Sequence, residues 1–434
     1  MLNRYSIYAL ITLPLATILY YLGWLHERPR YTSPDIFHRP TSSPEHVVAA
    51  YYVNWAIYDR NYTPAHLKED VSKLSHVLYA FANVHDNGTI VLGDDWADKD
   101  KHFDAESSVN ELADSWNDEE ENLYGSLHQF YLLKQLNRHL KVSLSVGGWS
   151  WSGNFAAVAA DPVKRSVFAA NALDLVENFG LDGIDIDWEF PKNAKEAQSF
   201  AELLKEVRHV FDTKRSHTGG TPYLLSVAMS CSPETYALLP LGEMERYVDL
   251  FYLMAYDLAG SWDAVTGHQS PLYGNRQSID KTVTYFTSHG VPSQKLVMGM
   301  PLYGRGFSAT DGLGAPFSGV PKGTWEEGVY DYNQLPQPGA TEYYDEQNVA
   351  SWTYDNQTRE FVTFDSPRVA KEKCLYIEDR KLGGAMFWEL SADLHGNDER
   401  SLLNTVYNSF HQQVNSSPNI LDYPNSQFRN IRDR

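Results

Sequence analysis

Cysteine is almost missing from this chain: Cys231 and Cys374 are the only two in 434 residues. No zinc-ligand spacing and no disulfide scaffold can be built from such a pair. Their separation favours two buried thiols over the one long-range bridge that stays open. Positive charge is also short, with 36 Lys and Arg against 56 Asp and Glu and a formal net charge of -20. An acidic surface repels phosphates, which argues against nucleic acid as a partner, whereas a neutral polymer is neither attracted nor refused. No Gly-rich phosphate loop follows the first strand-like run, which disfavours a dinucleotide-binding sheet.

What is present describes a globular protein, with 43% hydrophobic and 21% charged residues. The length suits one large α/β domain with an insert as well as two or three ordinary domains. Aromatic residues reach 13%, including 28 Tyr and 11 Trp. Part of that is core, but flat rings with a polar handle also suit stacking against sugars in a wet groove.

Residues 7–25 (IYALITLPLATILYYLGWL) carry no charged side chain and are long enough to cross a bilayer as a helix. No small-residue cleavage site follows, so residues 1–25 read as an uncleaved signal-anchor or an atypical signal peptide, with possible membrane attachment. Residues 26–46 read as a polar, proline-containing linker. Sequons at Asn61, Asn87 and Asn356 are compatible with a secretory route, and the expected location is extracellular or membrane-anchored.

From residue 47 onward, short apolar β-rich runs alternate with helical periodicity, as βα units around a parallel sheet do. Eight runs occur, at 47–53, 75–81, 141–147, 181–187, 223–229, 248–254, 295–301 and 383–388. Helices are predicted between them, among others at 125–138, 162–179 and 194–212. Eight is the count that closes a (β/α)8 barrel. Residues 47–303 and 371–410 form the barrel in this reading. Residues 304–370 are a β-rich insertion between strands seven and eight, and 411–434 a loose polar tail.

The sharpest feature is DGIDIDWEFP at 182–191. On a strand, alternate side chains share a face, so Asp185, Asp187 and Glu189 point one way and Ile184, Ile186 and Trp188 the other. Three acids inside a packed barrel are costly if left charged and unpaired, which a packed interior alone would not tolerate. Side chains about 6.6 Å apart along the strand couple their protonation and raise at least one pKa. Glu189, outermost and longest, is the natural proton donor. Asp187 would share or relay a proton, and Asp185 would hold charge deeper in. No histidine or further acid run lies nearby, so neither a metal nor an organic cofactor is called for.

This segment resembles the D-x-x-D-x-D-x-E signature of family 18 glycoside hydrolases, carried here by Asp182, Asp185, Asp187 and Glu189. SLSVGGWS at 143–150 is similar to the third-strand S-x-G-G motif of that family. LMAYDLAG at 253–260, MPLYGRGF at 300–307 and GGAMFWEL at 383–390 resemble the signatures of strands six to eight. The resemblance runs from about residue 47 to 408 and is nearest to fungal chitinases whose barrel carries an α+β insertion domain. It implies hydrolysis of chitin and N-acetylglucosamine oligomers by a monomer, with retention of configuration, the substrate's own N-acetyl group serving as nucleophile through an oxazolinium ion. Glu189 is then the general acid and base, Asp187 orients the acetamido group, Asp185 is its charge partner and Tyr256 bonds the acetamido oxygen. Met254 and Asp257 shape that pocket, and Trp388 forms its floor. Tyr52, Phe81, Trp149, Tyr303 and Arg305 are expected in the groove, Trp262 on the leaving side, and Glu326 as an acid of the insertion that contacts substrate. Trp55, Trp96 and Trp325 are candidates for further subsites or for packing. Many members carry Tyr where Phe190 stands; its parity is opposite to that of Glu189, so little effect on the chemistry is expected. A lectin of the same fold, an endo-acting enzyme on N-glycans and a structural wall protein are the rival readings. The intact Glu189, Asp187 and Tyr256 set is superfluous to a mere binder.

Overall fold

The computed structural model describes residues 45–117, 121–218, 220–274 and 276–433. The predicted membrane or signal segment 1–25 and linker residues 26–44 lie outside them. Among the described residues, no helix is long and apolar enough to cross a membrane.

The strands in chain order begin with β1 (Val47–Val53), β2 (His76–Val84), β3 (Ile90–Leu92) and β4 (Lys141–Gly147). There follow β5 (Gly183–Asp187), β6 (Leu224–Ser230), β7 (Leu250–Met254), β8 (Leu296–Pro301) and β9 (Tyr303–Phe307). The last are β10 (Val329–Asp331), β11 (Thr341–Asp345), β12 (Ala350–Asp355), β13 (Glu360–Phe364) and β14 (Gly384–Trp388). Strands β1, β2, β4 to β8 and β14 pair in parallel, and the β1–β2 pairing closes them into an eight-stranded barrel. Each predicted run matches a barrel strand to within three residues at either end, and those at 47–53 and 141–147 match residue for residue.

Helices cover the outside because the outward side chains of the strands are apolar. Ile184 and Ile186 are fully buried, and Trp188 lies between Phe155 and Phe200 of two covering helices, 5.6 and 5.4 Å between ring centres. The helix Pro162–Asn178 shows how its ends are set. Asp161 accepts the Val163 and Lys164 amides, Pro162 opens the first turn, and Gly180 just beyond takes a left-handed φ of 66°.

Between β8 and β14 the chain forms a five-stranded antiparallel sheet, in the order β10-β9-β13-β12-β11. It leaves the barrel directly after β8, at the carboxyl-end face. Both cysteines are buried and free.

The loose tail expected at 411–434 is corrected by the structure. Ile420, Leu421, Tyr423 and Ile431 are buried under the amino end of the barrel. Asn419 Nδ2 lies 2.9, 3.1 and 2.8 Å from the carbonyls of Lys134, Asn137 and Leu140, at and beyond the end of the helix Gly125–Leu136. A helix end leaves carbonyls without intrahelical partners, and a polar segment supplies the donors an apolar one could not.

Candidate functional site

The β5 ladder faces the barrel interior. Asp185 is opposite Ser145 on β4 and Ser226 on β6. Its carboxylate accepts from the hydroxyls of Ser145 (2.7 Å), Ser226 (2.7 Å) and Tyr51 (2.9 Å). Burial pushes its pKa up and these three donors partly offset that. Asp187, one step higher and 3% exposed, has no such support: its Oδ1 is buried without a hydrogen-bond partner among the described residues. Burial first, then the charges of Glu189 and Asp185, hold its pKa well above the carboxylate range. Glu189 is half-buried beyond the strand end, and its pKa rises to about 7 through burial and then the charge of Asp257. Asp187 and Glu189 are coupled, so charge on one keeps a proton on the other.

The two glycines of the third-strand motif make room for this ladder. A Cβ on Gly147 would lie 2.2 Å from the Asp187 carbonyl oxygen, and one on Gly148 would lie 2.7 Å from the Phe81 ring. Both take left-handed φ values, 115° and 76°.

The acids open into a groove of about 940 Å³ at the carboxyl ends of the strands. Trp388 closes one side, 5.7 Å from Phe81 and 5.2 Å from Tyr51 between ring centres. Tyr256 and Met254, from the end of β7, form the other. Asp257, in left-handed backbone at φ 58°, accepts from Tyr303 Oη (2.6 Å) and Arg305 Nε (2.5 Å). The Arg305 guanidinium sits 4.9 Å over Trp262. Trp149 and Trp262 stand on the rim, 79% and 59% exposed, and Glu326 of the insertion completes the lining.

Of the residues singled out from sequence, Asp187, Glu189, Tyr256, Met254, Asp257, Phe81, Trp149, Trp262, Tyr303, Arg305, Glu326 and Trp388 therefore line one groove. Asp185 lies directly beneath it. Tyr52 does not reach it, and this expectation is corrected. Its ring is fully buried on the helix side against Phe130, and its hydroxyl donates to the Tyr62 carbonyl at 2.8 Å. The neighbour Tyr51 faces the groove instead. Strand β1 is buried along its whole length, so no alternation of polarity marked which tyrosine faces in.

Trp151, Phe190 and Cys231 also line the groove without having been assigned to it, while Trp55 joins the rim. Trp151 was signalled only by its closeness to Trp149, and Cys231 by nothing in the pattern. Trp96 and Trp325 are not part of the lining; the Trp325 indole donates to Asp331. Asp182, the first acid of the motif, is at the opposite end of the barrel. Among the described residues, no group of three or more His, Cys, Asp or Glu is placed to hold a metal ion.

Comparison with known proteins gives a consistent result. The family model described as Glycosyl hydrolases family 18 matches residues 47–393. Endochitinase 1 of Metarhizium robertsii is 42% identical over 410 residues, covering 91% of this chain and 94% of its own. Chitinase 1 of Aphanocladium album is 43% identical over 392 residues, 88% of this chain and 90% of its own. Among solved structures, the catalytic domain of psychrophilic chitinase B from Arthrobacter TAD20 superposes with a TM-score of 0.77 at 28% identity, over 87% of this chain and 97% of that one.

Proposed function

The chain belongs to the glycosyl hydrolases family 18, and from that premise we propose that it hydrolyses the β-1,4 linkages between N-acetylglucosamine units in chitin and its oligomers. Glu189 protonates the glycosidic oxygen. The acetamido oxygen of the sugar on the cleaved bond closes onto the anomeric carbon as the leaving sugar departs, giving an oxazolinium ion. Water then opens the ring with Glu189 as base, and configuration is retained. Asp187 accepts from the acetamido N–H and balances the positive charge that develops. Tyr256 bonds the acetamido oxygen, and Trp388 packs under the sugar.

The observation that carries this reading is the buried Oδ1 of Asp187, without a partner among the described residues, beside a proton-holding Glu189 and in one cavity with Tyr256. A buried acceptor without a donor is expensive in a protein at rest. An incoming acetamido N–H would satisfy it. The aromatic rim suits a polymer of stacked pyranose rings.

The test is incubation of wild type and Glu189→Gln with N-acetylglucosamine hexamers, resolving products and anomers over time. Fresh β-anomer from wild type alone supports the reading; equal turnover by both proteins removes Glu189 from its role. We also infer a secretory destination from residues 7–25 and from sequons such as those at Asn61, Asn87 and Asn356. Intact-mass analysis of the protein from its native source distinguishes a retained anchor from a cleaved leader.

A further inference from the structure

Strand β5 stops pairing at Asp187, which is matched to Gly147 on β4. The amide of Glu189, two residues on, therefore has no strand partner. It is held by a side chain: Glu189 N–H donates to Ser152 Oγ at 2.7 Å. Ser152 follows the turn Trp149–Trp151 and is 8% exposed. Its own proton is shared between the carbonyls of Gly148 (3.0 Å) and Asp187 (3.3 Å), while Gly148 N–H donates back to the Asp187 carbonyl at 2.8 Å. The peptide units on both sides of Trp188 are thus tied to the exit of β4. Ser152 itself is not among the residues lining the groove.

We propose that Ser152 is a positioning residue that fixes the backbone of Glu189 so that its carboxyl can deliver a proton to the departing sugar oxygen; this rests on the function proposed above. A general acid acts only within hydrogen-bond reach of the atom it protonates, and small displacements of its anchor cost rate. One hydroxyl here satisfies the only amide of the acid's backbone and orients the peptide before it. A competing role is simpler: Ser152 merely ends the turn that carries Trp149 and Trp151. Loss of the hydroxyl would then loosen the rim and weaken binding, without singling out proton transfer.

Two substrates separate these roles. A chito-oligomer expels a sugar alkoxide and needs full protonation, whereas a nitrophenyl glycoside of di-N-acetylchitobiose expels a weak base and needs little. For Ser152→Ala, kcat on the oligomer should fall at least about tenfold while kcat on the aryl substrate changes less than about threefold, with both KM values nearly unchanged. Ser152→Thr, which keeps the hydroxyl, should restore the wild-type ratio. Ser152→Cys, nearly isosteric but a weak acceptor, should shift the ratio as Ala does. Both rates come from one preparation, so a partly folded variant leaves the ratio intact. Equal loss on both substrates, or a change confined to KM, overturns the proposal. Wild-type protein that cleaves neither substrate overturns the underlying reading instead, which is a distinct result.

Discussion

The two ends of β5 carry the same chemical group in opposite circumstances. At the amino end, Asp182 is 2% exposed and completely partnered. Lys134 Nζ lies 2.9 Å away, and the amides of Val142 and Ile420 donate to it at 2.7 Å each. At the carboxyl end, Asp187 is equally buried yet keeps an oxygen without a donor, and Glu189 keeps a proton near neutrality. One acid ties a helix, a strand and the carboxyl-terminal strap together. The other two are held in an unfavourable state that the proposed substrate would relieve. A motif read as one unit thus divides into a partnered end and an end that opens into the groove, where the reaction is proposed, as barrel architecture predicts for its two faces.

Substitutions at each end should separate stability from rate. The largest effect belongs to Glu189→Gln, which removes the proposed proton donor. Hexamer turnover should fall by about 10²–10⁴-fold with the melting temperature unchanged. Asp182→Ala should do the reverse. It leaves Lys134 buried without its carboxylate and should cost about 3–5 kcal/mol in urea unfolding, while kcat per folded molecule stays at the wild-type value. Asp187→Asn sharpens the contrast further. Burial forces this carboxyl to hold a proton that the unfolded chain gives up at neutral pH, so replacing it should raise unfolding stability by about 1 kcal/mol there even as hydrolysis drops. A gain in activity together with that stability would contradict the division.

The smallest effect is in the pH profile. The proposed acid Glu189 can act only while it carries its proton, so kcat/KM should decline as pH rises through about 7, the value to which burial and then Asp257 lift it in the free protein. Asp257→Asn removes the second of these causes and lowers the Glu189 pKa. The alkaline limb of kcat/KM against pH should therefore move to lower pH. A limb that stays put or moves upward would show that Asp257 does not act on Glu189.

Most of the barrel was legible because each strand is a short apolar run bounded by turn residues, and because eight such runs have one common closed arrangement. The ladder was legible for a stronger reason. Its period-two alternation of acids with Ile184, Ile186 and Trp188 leaves only one way to bury the apolar set. Strand β1 offered no such contrast, and two adjacent tyrosines could not be ranked by pattern. The strap at 411–433 was misread because its value lies in donors placed against orphan carbonyls, which composition does not display. Cys231 and Trp151 entered the groove through loops whose paths depend on contacts distant in sequence.

By itself the amino-acid order determined which face of β5 is acidic and which residue stands outermost on it, since the alternation of a strand is local geometry. Tertiary structure alone decided that Asp185 would be held by three hydroxyls from three other strands, that Asp187 would be left short of a donor, and that Asp182 would be neutralised from below. The reason is that desolvation and hydrogen bonding depend on what the whole barrel brings near each carboxyl, and no residue's neighbours along the chain contain that information.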